Sequence, residues 1–227
     1  MKSLHIVPLV VATLAAGTPA RADPEAYNPN AYDLSGALDR DVAPTLGAFE
    51  IAVAGGYTQG VGGAGGAGSI EDVTGPGGTI EGQLGYRMTP RFSIGLYGTL
   101  ARFRHGDAFG DGSRVYGATA GVQLVWHSRE LRSLDPWISV GAGWRGLWLT
   151  PIDAPASSIH GIEIVRIQLG IDYRITPRLA VAPVVGASAS LFLVENAAMP
   201  SDFTSVRDRR LNLYGFTGVL GRFDLGG

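Results

Sequence analysis

Arg114-Val115-Tyr116-Gly117-Ala118-Thr119-Ala120-Gly121-Val122-Gln123-Leu124-Val125-Trp126-His127 sorts into two faces when read two residues at a time. Tyr116, Ala118, Ala120, Val122, Leu124 and Trp126 fall together, and Gly117, Gly121 and Gln123 fall opposite. A helix would scatter these positions around its 3.6-residue turn, whereas an extended strand collects them on one side. The stretch predicts a β-strand with one greasy face and one small or polar face.

The same alternation recurs three times before this stretch and four times after it. On the N-terminal side, 48–58 aligns Phe49, Ile51, Val53 and Tyr57, and 79–88 aligns Ile80, Leu84, Tyr86 and Met88. The segment 91–103 aligns Phe92, Ile94, Leu96 and Leu100. On the C-terminal side, 137–149 aligns Ile138, Val140, Ala142, Trp144 and Trp148, and 162–174 aligns Val165, Ile167, Leu169, Ile171 and Tyr173. Leu179, Val181, Val185, Leu191 and Leu193 align in 178–193, and Leu211, Leu213, Val219 and Phe223 in 211–223, where both faces are mixed.

The connections alternate in length. Met88-Thr89-Pro90-Arg91 and Ile175-Thr176-Pro177-Arg178 read as tight turns, because proline pre-sets the backbone angle a turn needs. The links at 59–78, 104–113, 150–161 and 194–210 are long, and Ser128 to Pro136 is the one intermediate case. Short turns at one end and long loops at the other describe an outer-membrane barrel with periplasmic turns and external loops.

The second face decides what surrounds the sheet. Opposite the apolar sets lie Glu50, Glu81, Gln83, Arg87, Thr99, Gln123, Arg145, Arg166, Gln168, Asp172 and Arg174, spaced by glycines. Only 17% of the chain is charged, too sparse for the outer surface of a soluble barrel such as a lipocalin, which is the alternative reading. A narrow interior wants small residues and acid–base pairs, because an unpaired buried charge is costly. Glu50, Glu81, Arg87, Arg145, Arg166, Asp172 and Arg174 are therefore expected to form a luminal charge network. A one-residue slip would turn its arginines into lipid at about 2–4 kcal/mol each. Tyr86, Phe92, Trp126 and Tyr173 near the turns, and Tyr57, Tyr116 and Trp148 near the loops, read as two interfacial aromatic girdles. The expected fold is an all-β, eight-stranded antiparallel up-and-down transmembrane barrel with a polar interior and a lipid-facing exterior.

Two hairpins echo each other, Tyr86-Arg87-Met88-Thr89-Pro90-Arg91 and Tyr173-Arg174-Ile175-Thr176-Pro177-Arg178. With the closing Gly218-Val219-Leu220-Gly221-Arg222-Phe223, this pattern over residues 46–224 resembles the small barrels of the outer-membrane protein A and X type. The resemblance implies outer-membrane lipid, lipopolysaccharide and the barrel-assembly machinery as partners. Members usually end on an aromatic residue, whereas Phe223 here is followed by Asp224-Leu225-Gly226-Gly227.

The N-terminus fits export. Lys2 supplies a positive start, Ile6 to Ala16 is apolar, and Ala20-Arg21-Ala22 offers small residues at a cleavage site, so 1–22 reads as a signal peptide. Residues 23–46 read as a periplasmic lead-in and 47–227 as the barrel. Without Lys2 and Arg21 the chain carries 16 basic against 20 acidic residues, a formal charge of −4, which speaks against nucleic acid. With no cysteine, stability must come from the chain's own packing, from oligomers or from a membrane.

Candidate chemistry is thin. The run from Gly60 to Ser69 lacks the Lys-Ser or Lys-Thr of a phosphate cradle and is expected to be a flexible external loop. Asp107 and Asp111-Gly112-Ser113 lack the regular oxygen spacing of a calcium loop, and no metal-ligand spacing links His105 and His160. His127, Ser128 and Glu130 suggest a lipid A deacylase, but they fall in a predicted periplasmic turn, away from cell-surface lipid, and read as a polar turn. Arg207, Arg209 and Arg210 beside Asp202 and Asp208 could meet lipopolysaccharide phosphates. The expectation is a non-enzymatic barrel without cofactor or metal, acting through its loops, with a narrow solute or ion channel as the alternative.

Overall fold

The structure is a computed structural model that describes residues 47–63, 68–107, 110–128, 133–152, 155–196, 204–206 and 209–225. The proposed signal peptide and the whole of the lead-in, residues 1–46, lie outside these residues. Eight strands form the wall: β1 (Phe49–Gly62), β2 (Thr74–Arg87), β3 (Phe92–His105), β4 (Arg114–His127), β5 (Leu134–Thr150), β6 (Ser157–Thr176), β7 (Leu179–Asn196) and β9 (Leu211–Leu225). A helix of one turn, α1 (Ile70–Val73), lies between β1 and β2, and a two-residue strand, β8 (Thr204–Ser205), pairs with β7.

Every wall strand runs antiparallel to its neighbours along the wall. The sheet closes where β1 meets β9, from Phe49 opposite Leu225 to Gly62 opposite Asn212. Closure leaves no wall strand with an unpaired edge, the condition for a sheet to stand in hydrocarbon.

The apolar set faces out. Ile94, Val122 and Leu169 are 47%, 57% and 49% exposed, whereas Arg145 and Gln168 are 9% and 1% exposed. The weakly patterned last strand follows the same rule, with Leu211, Leu213, Val219 and Phe223 outside. The interior accepts large side chains because glycines face them. A Cβ on Gly121 would lie 2.6 Å from the Tyr97 hydroxyl, and one on Gly170 would run into the Trp137 ring.

The two echoing hairpins are built alike. Thr89 Oγ1 accepts from the Arg91 and Phe92 amides, and Thr176 Oγ1 accepts from the Arg178 and Leu179 amides. Beneath each turn a luminal arginine donates to the proline carbonyl, Arg87 to Pro90 at 3.1 Å and Arg174 to Pro177 at 3.3 Å. The Arg-x-Thr-Pro motif is thus a turn tied from both sides.

The loops differ from expectation. β1 runs on to Gly62, β6 begins at Ser157 and β7 reaches Asn196, all inside stretches read as loop. A strand that has left the hydrocarbon no longer needs outward apolar residues, so its alternation fades while its ladder continues. The intermediate link also shortens, because β5 starts at Leu134 and the Ser128 amide bonds the Pro136 carbonyl.

Candidate functional site

The seven luminal charges expected from the sequence all point inward, and they fall into two layers. The middle layer holds Glu81, Arg145 and Arg166. Arg166 is ion-paired with Glu81, whose carboxylate also accepts from Gln83 and Gln168. The Arg166 guanidinium lies 4.3 Å above the Tyr97 ring, and the Tyr97 hydroxyl donates to Glu163 at 2.5 Å. Arg145 pairs with Glu163, donates to Ser188 at 2.8 Å and covers the Tyr214 ring at 3.9 Å.

The turn-end layer holds the other four. Arg87, fully buried, pairs with Glu50 at 2.7 Å. Arg222 pairs with Asp172 at 3.2 Å, and Arg174 with Asp224 at 2.9 Å. The Trp137 indole donates to Asp172 at 2.7 Å and lies under Arg222.

Five partners in these layers were not among the expected set: Glu163, Arg222, Asp224, His127 and Asp135. Glu163 shares sequence parity with the outward Ile167 and Leu169. A bulge at Ile164–Val165 in β6 adds one residue against both neighbours, so Glu163 turns inward while Ile162 and Ile164 face out. Arg222 and Asp224 lie on the strand whose faces were mixed. The only hint for them was a charge at every second residue beside Phe223.

His127 corrects the reading of a polar turn: it ends β4 and is wholly buried in the lumen. Its Nδ1 lies 2.6 Å from Asp135, while Nε2 lies 3.1 Å from Arg87 and 3.2 Å from Arg222. Because guanidinium groups only donate, Nε2 is the acceptor and the proton sits on Nδ1, donating to Asp135. A catalytic histidine would aim that nitrogen at a nucleophile; here it is held by two cations. Glu130 lies outside the described residues. His127, Asp135 and Asp172 offer ligand atoms within 4.8 Å of one another, a spacing suited to a metal ion. Arg87 and Arg222 already supply the positive charge there, so the donor set does not fit a divalent cation.

The loop end of the lumen is apolar. Ile70 and Val73 of α1 are fully buried against Phe103, Val115, Leu147, Leu149, Ile159, Phe192, Val206 and Tyr214. The helix starts at a capping box, with Ser69 and Asp72 each accepting the other's amide, and Gly106 donates to the Val73 carbonyl at 3.0 Å. What read as a flexible external loop therefore ends in a lid that packs into the barrel mouth. Between lid and charge layers remains a cavity of about 50 Å³ lined by Glu81, Arg145, Glu163 and Arg166.

All seven girdle residues are exposed on the outer wall: Tyr86, Phe92, Trp126 and Tyr173 toward the turns, and Tyr57, Tyr116 and Trp148 toward the loops. Trp144 and His160 close over Gly146, the His160 ring stacking on Trp144 at 5.6 Å and Trp148 meeting both edge-on. His105 reaches Asp111 at 3.3 Å on the surface. Arg209 and Arg210 are exposed, and Arg207, Asp202 and Asp208 lie outside the described residues.

No family model matches the chain, and no curated protein matches it. Among solved structures it is similar to Neisserial surface protein A, at 12% identity and a TM-score of 0.54, over 77% of this chain and 96% of that one. The outer membrane protein OprG of Pseudomonas aeruginosa aligns at 10% identity and a TM-score of 0.44, over 80% and 98%. The likeness to the Neisserial protein shows the fold, a small closed antiparallel barrel of the outer-membrane kind.

Proposed function

We propose that the chain is a non-enzymatic barrel of the bacterial outer membrane, reached after signal-peptide export, with a structural or surface-interaction role at its loop end. The observation that supports this reading is a lumen blocked at its turn end, its middle and its mouth, with only a small cavity between. Two layers of paired charges occupy the middle and the turn end, and α1 packs the mouth with Ile70 and Val73. Solute passage would require breaking ion pairs whose partners would be left buried and unpaired, at several kcal/mol each. His127, held between Asp135 and two arginines, supports a structural role over a hydrolytic one. What the barrel offers its surroundings is its outer wall and its loops.

Planar-bilayer recording of the refolded chain tests this. The expected result is no conductance above background. Stepwise openings that persist in purified protein would replace the structural reading with a narrow channel.

A further inference from the structure

Three arginines break the apolar wall at one place. On β3 the outward residues run Phe92, Ile94, Leu96, Gly98, Leu100 and then Arg102 and Arg104. On β4, Arg114 precedes the outward Tyr116. All three arginines are exposed, and among the described residues no carboxylate pairs with any of them. Arg102 stands opposite Tyr116, and the β3–β4 ladder runs to Phe103 opposite Val115, so Arg104 and Arg114 flank its last rung on the outer face. Like charges held side by side across a sheet are destabilising unless an anion sits between them.

Height along the wall locates the cluster. The ten residue steps from Phe92 to Arg102 rise about 25 Å at roughly 3.3 Å each and a tilt near 40°, the height of a barrel's apolar band. Arg102 thus stands where hydrocarbon gives way to headgroups at the loop end, the external side of such barrels. Beside it a groove of about 520 Å³ opens between β1, β2 and β3, lined by Gly56, Tyr57, Gly77, Gly78, Arg102 and Arg104. A bulge in the β2–β3 pairing between Thr74 and Gly77 helps open it, and a Cβ on Gly78 would meet nothing within 4 Å. At the same end, β1 and β5 present Tyr57 and Trp148 on either side of the cluster, and the exposed Arg209 and Arg210 lie apart from it, beyond β1 at the start of β9.

We infer that Arg102, Arg104 and Arg114 bind the phosphate groups of an outer-leaflet glycolipid of the lipopolysaccharide class, whose acyl chains lie along Leu100, Ile80 and Leu96. Guanidinium groups match phosphate oxygens in bidentate geometry, and three of them around one headgroup answer their mutual repulsion. The glycine-lined groove admits a sugar ring beside the strands. This inference rests on the outer-membrane reading and adds a ligand to it.

The test uses the full chain folded in detergent, its barrel state checked by heat-modifiability on a gel and lipid binding followed by tryptophan fluorescence. The ligands are bisphosphorylated lipid A, its dephosphorylated form and inorganic phosphate. The phosphorylated lipid is expected to bind about tenfold more tightly than the dephosphorylated one. Arg102→Ser, Arg104→Ser and Arg114→Ser together should erase that preference, and Arg178→Ser at the opposite rim should keep it. Millimolar inorganic phosphate should leave lipid binding unchanged. Equal affinity for the two lipids, full affinity in the triple variant or equal loss in Arg178→Ser would overturn the inference. One-for-one competition by inorganic phosphate would also overturn it, pointing to a free-anion site. If the triple variant does not fold, Arg104→Ser alone carries the same comparison. Failure of the unsubstituted chain to show a heat-modifiable band would instead overturn the barrel reading itself.

Discussion

The lumen is filled in two ways. Its turn-end half is ionic, with Arg87, Arg174 and Arg222 locked to Glu50, Asp224 and Asp172 around His127. Its loop-end half is apolar, with α1 set like a lid on Phe103, Leu147, Phe192 and Tyr214. Ionic filling is directional: each guanidinium must meet its acceptor at hydrogen-bonding distance, so the layer distinguishes the correct strand register from every slipped one. Apolar filling is not directional and scales with area removed from water. The first half suits a register lock, and the second suits a closure that can be loosened without disturbing the wall.

Breaking the ionic half should cost the most stability. Arg87→Leu leaves Glu50 buried without its partner and removes the bond to the Pro90 carbonyl, costing about 3–5 kcal/mol. Urea unfolding of the refolded barrel should shift accordingly. The double variant Glu50→Gln, Arg87→Met should recover most of the loss, because no charge is then stranded. If Arg87→Leu unfolded at the same urea concentration as the parent, the register-lock account would fail.

A smaller and more local effect is expected at the lid. Ile70→Ala removes a fully buried side chain, a change worth about 2–4 kcal/mol where the surroundings cannot collapse. Because α1 is tied to the wall by few bonds, much of that cost should appear as local opening and little in global unfolding. Hydrogen exchange at Gly106, whose amide holds the Val73 carbonyl, should accelerate, while the amides of β9 should stay protected. Equal acceleration in both would show that lid and ionic layer are one cooperative unit.

The two halves were also unequally legible in the sequence. Strict alternation on β4 and β2 places Glu81, Arg87 and Gln123 inward without further information, because a period of two needs only parity. Parity fails where a strand gains a residue, which is why Glu163 was missed: the bulge at Ile164–Val165 leaves no mark in composition. The lid was hidden for a different reason. Ile70 and Val73 make one helical contact pair, too short for periodicity to register, and Ser69-x-x-Asp72 was the one signal of a helix start. His127 was misplaced because it follows Trp126 at a strand end, where parity alone cannot separate the last luminal residue from the first turn residue. The outward arginines of β3 were visible as residues, but their height on the wall became meaningful only with the register.

A third, weaker effect is expected at the turn end itself, where the ionic layer meets the backbone. Thr89 and Thr176 each accept two turn amides, while Arg87 and Arg174 hold the proline carbonyls from below. Both turns are exposed, so water can replace a threonine hydroxyl, and Thr89→Ala or Thr176→Ala should each cost only about 0.5–1.5 kcal/mol. Among the described residues the hairpins share no hydrogen-bond partner, because Arg87 bonds Glu50 and His127 while Arg174 bonds Asp224. The two costs should therefore add in the double variant to within about 0.5 kcal/mol. A larger deviation, read from the same urea curves, would mean that the ionic layer couples the turns through His127 and Arg222 and that the turn end behaves as one rigid plate.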